Sequence, residues 1–153
     1  MHSAESRNQK LGFALERLQA ISRRYSAIEW ELKADDTIIC DRFILVAVMN
    51  MELIGPRLHL APEADPSDGY LDLVCVRETQ RDAFSRWVQE QSPGLKEAAD
   101  FERRRCRRVE ARASSIAPVH VDSHVITKPA FPLVMELQTA ALKYALTPRT
   151  RGP

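Results

Sequence analysis

At 153 residues, with 22 lysines and arginines against 21 aspartates and glutamates, the chain is long enough for one domain with a real core and carries a formal net charge of +1. Bulk charge therefore gives no reason to expect a nucleic acid or an anionic membrane as partner. The longest apolar run, Phe43 to Met49, is far short of the ~20 residues that span a bilayer, and Met1 to Lys10 holds no hydrophobic signal segment; Cys40, Cys75 and Cys106, widely spaced and without a C-x-x-C pair, argue against a disulfide framework and a structural zinc site and fit a reducing cytoplasm.

Leu11, Leu15, Leu18, Ile21 and Tyr25 recur at helical spacing and predict an amphipathic helix over Lys10 to Arg24, with these five on its apolar face. Ile28, Trp30 and Leu32 then alternate with Glu29, Glu31 and Lys33, the pattern of a half-buried strand. Asp35-Asp36 makes a turn. Thr37 to Met49, rich in Ile and Val, reads as a strand covered on both faces. Leu58 and Leu60 alternate with Arg57 and His59 in a short strand, and Tyr70 to Val76 is another buried one. Thr79 is placed to cap a helix carrying Ala83, Phe84, Trp87 and Val88, closed by Ser92-Pro93-Gly94. A second helical stretch, Leu95 to Glu102, leads into Arg103-Arg104-Arg105. Val109, Ala111 and Ala113 alternate with charged residues, and Val119 to Asp122 is strand-like. Phe131 to Leu137 and Ala141 to Leu146 close the chain as a hairpin, before a frayed tail at Thr147 to Pro153. Trp30 and Trp87 fall at core-facing positions. Seven or so short strands with few helices predict a mainly β (α+β) fold: an antiparallel β-sandwich with an N-terminal helix and one or two inserted helices.

Three clusters carry chemistry. The first is the acidic stretch from Pro62 to Val74, where Asp65, Asp68 and Asp72 lie close in sequence around a turn at Ser67-Asp68-Gly69. Such a turn can present carbonyls beside a carboxylate to Mg²⁺ or Ca²⁺, or stand without an ion while Asp68 binds its own backbone. The second is His120-Val121-Asp122-Ser123-His124. Continuous strand geometry would line His120, Asp122 and His124 along one side. That face is polar edge, catalytic surface or a transition-metal site. The third is Arg103, Arg104, Arg105, Arg107, Arg108 and Arg112, either a solvated surface balanced by Asp100, Glu102 and Glu110 or a patch for anionic lipid or RNA phosphates.

Asn50, then Gly55-Pro56, then Pro62-x-Ala64-x-x-x-Asp68-Gly69-x-Leu71-Asp72 resembles the diacylglycerol kinase catalytic-domain family, which includes bacterial lipid kinases and sphingosine kinases. Lys10-Leu11-Gly12-Phe13, Val119 to Asp122 and Ala140 to Tyr144 follow the same family's order. The resemblance covers Lys10 to Pro148. It implies residues 1–9 as an unordered or vector-derived stretch, 10–148 as a C-terminal β domain and 149–153 as a tail. It also implies a structural Mg²⁺ held by the carboxylate of Asp68 and the main-chain oxygens of Asp65 and Tyr70. In the family the second cluster usually reads Asp-Gly-Glu and faces the cleft between two domains. Asp122 retains the aspartate, Ser123 replaces the glycine and His124 the glutamate, so Asp122 and His124 become the expected catalytic pair.

The family binds ATP on an N-terminal domain with a glycine-rich motif. Here Gly12, Gly55, Gly69, Gly94 and Gly152 are too scattered to wrap a phosphate. The chain therefore reads as the C-terminal lobe of an ATP-dependent lipid kinase, inactive alone, whether an expressed fragment or a truncated product. Its partners are the absent nucleotide-binding domain, a lipid substrate and, through the surface left uncovered, a second copy in a homodimer. Its expected place is the cytoplasm, peripheral to the inner face of the membrane. The competing readings are a binding module for anionic membrane or nucleic acid using Arg103 to Arg112, and a small metalloenzyme using His120, Asp122 and His124.

Overall fold

The computed structural model describes residues 2–55, 58–91, 101–122 and 124–138. Helix α1 (His2–Arg24) leads into β1 (Ile28–Ala34), which turns at Asp35-Asp36 into the long β2 (Thr37–Met49). A small ribbon of β3 (Leu53–Ile54) and β4 (Leu58–His59) precedes the acidic loop and β5 (Leu71–Arg77). A 3₁₀ turn (Glu78–Gln80) opens α2 (Arg81–Glu90), and β6 (Glu102–Cys106), β7 (Arg108–Ala113), β8 (Val119–Val121), β9 (His124–Ile126) and β10 (Leu133–Glu136) follow. Six strands form one antiparallel sheet in the order β10-β7-β1-β2-β5-β6, and β8 and β9 make a separate hairpin.

One connection decides the architecture. Only Arg107 lies between β6 and β7, yet β5, β2 and β1 separate those strands in the sheet. In a flat sheet the two would stand roughly 19 Å apart, at about 4.8 Å per strand, which a single residue cannot bridge. The sheet therefore folds over on itself. The hinge is β2, whose register slips between Phe43 and Leu45. Thr37–Phe43 pairs with β1, and the rest of the strand pairs with β5. A strand that changes layers at a bulge is the way a sandwich turns a corner. Asp35 fastens the fold: its carboxylate accepts the N–H groups of Arg107 at 3.0 Å and Arg108 at 2.9 Å, and its own N–H donates to the Arg108 carbonyl at 3.0 Å.

Two cores result. Between the layers, Leu32, Ala34, Ile39, Phe43, Val109 and Ala111 meet Leu71, Leu73, Cys75 and Cys106. Outside β5, Val74 and Val76 pack with Phe84, Trp87 and Val88 of α2, Leu15 and Leu18 of α1, and Phe101. β5 is thus buried on both faces, which explains its unbroken apolar run. Trp87 is buried, and Trp30 is half-buried with its ring edge-on to Phe131 at 5.8 Å. Burial pushes the Cys75 thiol up to about 12 and the Cys106 thiol to about 11, so neither supplies a thiolate near neutral pH.

Several sequence expectations need correction. α1 begins at His2, not Lys10, so residues 2–9 are helical rather than unordered; nothing there breaks a helix. Ile21 is 51% and Tyr25 39% exposed, because the inward stripe runs through Leu15, Leu18 and Ser22. β2 is two-sided only in its second half, since Ile38, Cys40 and Arg42 face outward in the first. Thr79 caps nothing; Gln80 accepts the Arg77 N–H at 2.9 Å and shapes the 3₁₀ turn instead. Glu102 starts a strand rather than ending a helix, and Arg103 to Arg105 continue it. Ser92-Pro93-Gly94, the predicted helix at 95–100, the second half of the closing hairpin and the tail lie outside the described residues. β10 pairs with β7 along the sheet.

Candidate functional site

The acidic loop is built by its own hydrogen bonds and then clamped from β6. Asp65 accepts the N–H of Ser67 at 2.8 Å and its hydroxyl at 2.6 Å, which holds its carboxyl below the usual range. The Asp68 N–H donates to the Asp65 carbonyl at 3.2 Å. Gly69 takes φ +79°, the conformation this turn requires and side chains resist. Asp68 then accepts the Tyr70 N–H on Oδ1 at 2.8 Å and Arg105 Nη2 on Oδ2 at 2.6 Å. The Arg105 guanidinium also lies 4.6 Å from the Tyr70 ring centre, and Arg107 approaches at 5.2 Å. Register brings this about, since β5 and β6 place Asp72 directly opposite Arg105.

Asp72 is the loop's buried carboxylate. It is 3% exposed, and its Oδ2 is buried with no hydrogen-bond partner among the described residues. Burial pushes its pKa up, and Arg105 only partly opposes this.

The residues fit a divalent ion poorly as they stand. Two of the three expected ligands are engaged: both oxygens of Asp68 and the carbonyl of Asp65 already accept hydrogens from the protein. A guanidinium also fills the position in which a cation would answer Asp68. Among the described residues, no three His, Cys, Asp or Glu side chains are grouped to hold a metal.

The second cluster is not one strand face. β8 stops at Val121, Asp122 takes φ +50° in the turn, and β9 starts at His124. Val121 pairs with His124 and His120 with Val125. Cross-strand partners share a face and adjacent residues do not, so His120 and His124 stand on opposite faces. That removes the common His-Asp-His face and with it the geometry of the metalloenzyme reading. Asp122 instead sits, exposed, at the tip of the hairpin, with His124 also exposed beside it. Ser123 lies outside the described residues.

The arginine cluster is strand surface and is mostly matched. Arg103 faces Glu63 at 3.7 Å, Arg105 binds Asp68, and Arg112 binds Glu110 at 2.7 Å, with Arg108 at 3.8 Å from the same residue. At the other end of β5, Arg77 joins Asp41 at 2.7 Å and Glu102 at 2.5 Å. The sequence reading missed the Arg105–Asp68 clamp and this triad. Their partners lie over thirty positions apart in most cases, and only the strand register links them.

The chain matches, over residues 1–146, the profile of the YegS C-terminal NAD kinase β-sandwich-like domain. Among solved structures it is similar to a candidate diacylglycerol kinase from Bacillus anthracis str. Sterne, with a TM-score of 0.58 and 20% identity, covering 83% of this chain and 40% of that one. It is also similar to a diacylglycerol kinase from the same organism, with a TM-score of 0.55 and 20% identity, covering 89% of this chain and 45% of the other. The chain thus spans less than half the length of these structures, and at such identity the likeness shows a shared fold. No curated protein matches it.

Proposed function

Because the chain belongs to the family of YegS C-terminal NAD kinase β-sandwich-like domains, we propose that this C-terminal domain of a lipid-kinase-like protein completes the acceptor side of an ATP-dependent lipid kinase. Its substrate class is a lipid alcohol, and the reaction moves the ATP γ-phosphoryl group to that hydroxyl. The observation that carries the reading is Asp122, an exposed carboxylate at the tip of a hairpin that stands apart from the main sheet. Phosphoryl transfer depends on positioning and on a proton acceptor beside the hydroxyl. In this proposal Asp122 takes the hydroxyl proton as the phosphorus–oxygen bond to ADP breaks and the bond to the lipid oxygen forms. His124, two residues on, supplies a second proton acceptor. The five glycines are scattered along the sequence, with no two near enough to form a phosphate-cradling loop, so in this proposal the nucleotide belongs to a separate lobe and the chain alone is inactive.

The test is to combine the chain with a glycine-rich nucleotide domain and follow ATP-dependent phosphorylation of diacylglycerol. Asp122→Asn is expected to lower kcat by about 10²–10⁴-fold, the usual worth of a general base. Unchanged turnover in that variant, or turnover by the chain alone, would refute the reading. The competing binding-module reading loses support from the ion pairs that neutralise most of Arg103 to Arg112.

A further inference from the structure

The sequence holds one Asp-Gly or Asn-Gly pair, Asp68-Gly69, and it lies in the acidic loop. A carboxyl side chain followed by glycine is open to attack by the next main-chain nitrogen, because glycine has no Cβ to crowd that nitrogen. The local fold keeps the two groups together. Asp68 Oδ1 accepts the Tyr70 N–H at 2.8 Å, closing a small ring that contains both the carboxyl carbon and the Gly69 nitrogen. Gly69 takes φ +79°, and the Asp68 side chain is 21% exposed, so water reaches it. The neighbouring aspartates do not share this setting. Asp65 precedes Pro66, whose nitrogen carries no hydrogen to lose, and Asp72 precedes the branched Leu73 inside β5.

The chemistry open to this pair needs only water. Attack forms a bond from the Gly69 nitrogen to Asp68 Cγ. One carboxyl oxygen leaves as water, taking the Gly69 amide proton and one proton from solvent. The cyclic imide then takes water back. Water that adds at the main-chain carbonyl breaks its bond to the Gly69 nitrogen and leaves isoaspartate. The main chain is then longer by a methylene group, and the free carboxyl group stands on Cα. Nothing is oxidised or reduced.

We infer that Asp68-Gly69 is a site of spontaneous isomerisation that Arg105 holds shut. The bond to Tyr70 alone leaves the carboxyl group free to turn about Cβ–Cγ. Arg105 Nη2 holds the other oxygen at 2.6 Å, and its guanidinium is itself stacked 4.6 Å from the Tyr70 ring centre. Hydrogen bonds between a guanidinium and a carboxylate are among the stronger ones. With both oxygens held, the carboxyl group cannot turn its face to the Gly69 nitrogen, and neither oxygen is free to depart. Isoaspartate at this position no longer reaches both the Tyr70 N–H and Arg105, so the loop loses its tie to β6. The arginine that locks the turn is thereby also what preserves its main chain over time.

The experiment is ageing of the full chain for weeks in metal-free buffer, below the melting transition of every variant used. Trypsin releases residues 58–77 as one peptide, and electron-transfer fragmentation separates isoaspartate from aspartate within it. A synthetic peptide of the same residues sets the unguarded rate, and the parent chain is expected to isomerise far more slowly. Arg105→Gln should speed the reaction about fivefold, the factor that a partly exposed charged pair supplies. Arg105→Lys should restore most of the protection. Two controls should keep the parent's rate: Arg103→Gln, whose arginine faces Glu63, and Val109→Ala, on a strand that pairs with neither β5 nor β6. Isomerisation of the parent at the peptide's rate, or Arg105→Gln as slow as the parent, overturns the inference. Equal acceleration by Val109→Ala and Arg105→Gln also overturns it, because global opening rather than the clamp would then set the rate.

Discussion

Asp68 and Asp72 stand four residues apart in contrasting surroundings. Asp68 is answered by Arg105, with both side chains partly exposed, so the clamp contributes about 1 kcal/mol or less, supplemented by the guanidinium stacked on Tyr70. Arg105→Ala is expected to lower Tm by about 2–4 °C. It should also make the melting temperature respond to millimolar Mg²⁺, which leaves the unsubstituted chain unmoved. Stabilisation of the unsubstituted chain by Mg²⁺ would show that the ion displaces the arginine. Asp72 behaves in the opposite sense. Burial raises its folded pKa above the ordinary 3.8, so the unfolded chain releases this proton first as pH rises. Asp72 therefore costs stability above that pH and nothing well below it. Asp72→Asn should make the domain more stable to urea at pH 7, with the gain vanishing below about pH 3.8. Asp41 has the reverse sign: the Arg42 N–H and Arg77 lower its pKa, and its stabilisation is lost on acidification. The acidity of the loop was legible in the sequence. Which carboxylate meets a cation and which is buried was not, because the β5–β6 register alone puts Arg105 beside both.

Among the elements, β1, β2, β5 and β7 could be read from alternation or from apolar runs, because burial on one or two faces writes those patterns directly. The fold of the sheet could not. It depends on a register slip in β2 and on Asp35, whose carboxylate clamps a connection more than seventy residues away. Asp35→Ala removes two charge-assisted hydrogen bonds and leaves a Cβ at φ +50°, a conformation that aspartate tolerates better than alanine. The expected loss is about 2–3 kcal/mol, measured by chemical denaturation, with Asp35→Asn losing less. Equal stability of Asp35→Ala and the parent would mean that Arg107 turns the corner unaided. α1 teaches a related lesson. Its spacing identified a helix, but Ile21 and Tyr25 sit off the inward stripe, and only the position of β5 and α2 shows which apolar residues are covered.

The two cores of the whole molecule share β2 and β5, so neither can melt alone. Leu73 faces the interlayer core and its neighbour Val74 faces the helices, both fully buried. Leu73→Ala and Val74→Ala should both lower one cooperative transition, by about 2–5 kcal/mol for the leucine and less for the valine. Trp30 reports on the first core and Trp87 on the second, so single-tryptophan variants should unfold at one midpoint. Two midpoints would divide the molecule into independent units. Among the described residues, no helix is long and apolar enough to cross a membrane. From its own order of residues the chain determined its β class, its buried strands and its acidic loop, since periodicity and turn chemistry act between near neighbours. Only the tertiary structure decided that the sheet folds at β2, that Arg105 answers Asp68, that His120 and His124 part company around Asp122, and that one apolar face of α1 stays outside. Each of these depends on residues far apart in sequence meeting in space, and a pattern read along the chain holds no such distance.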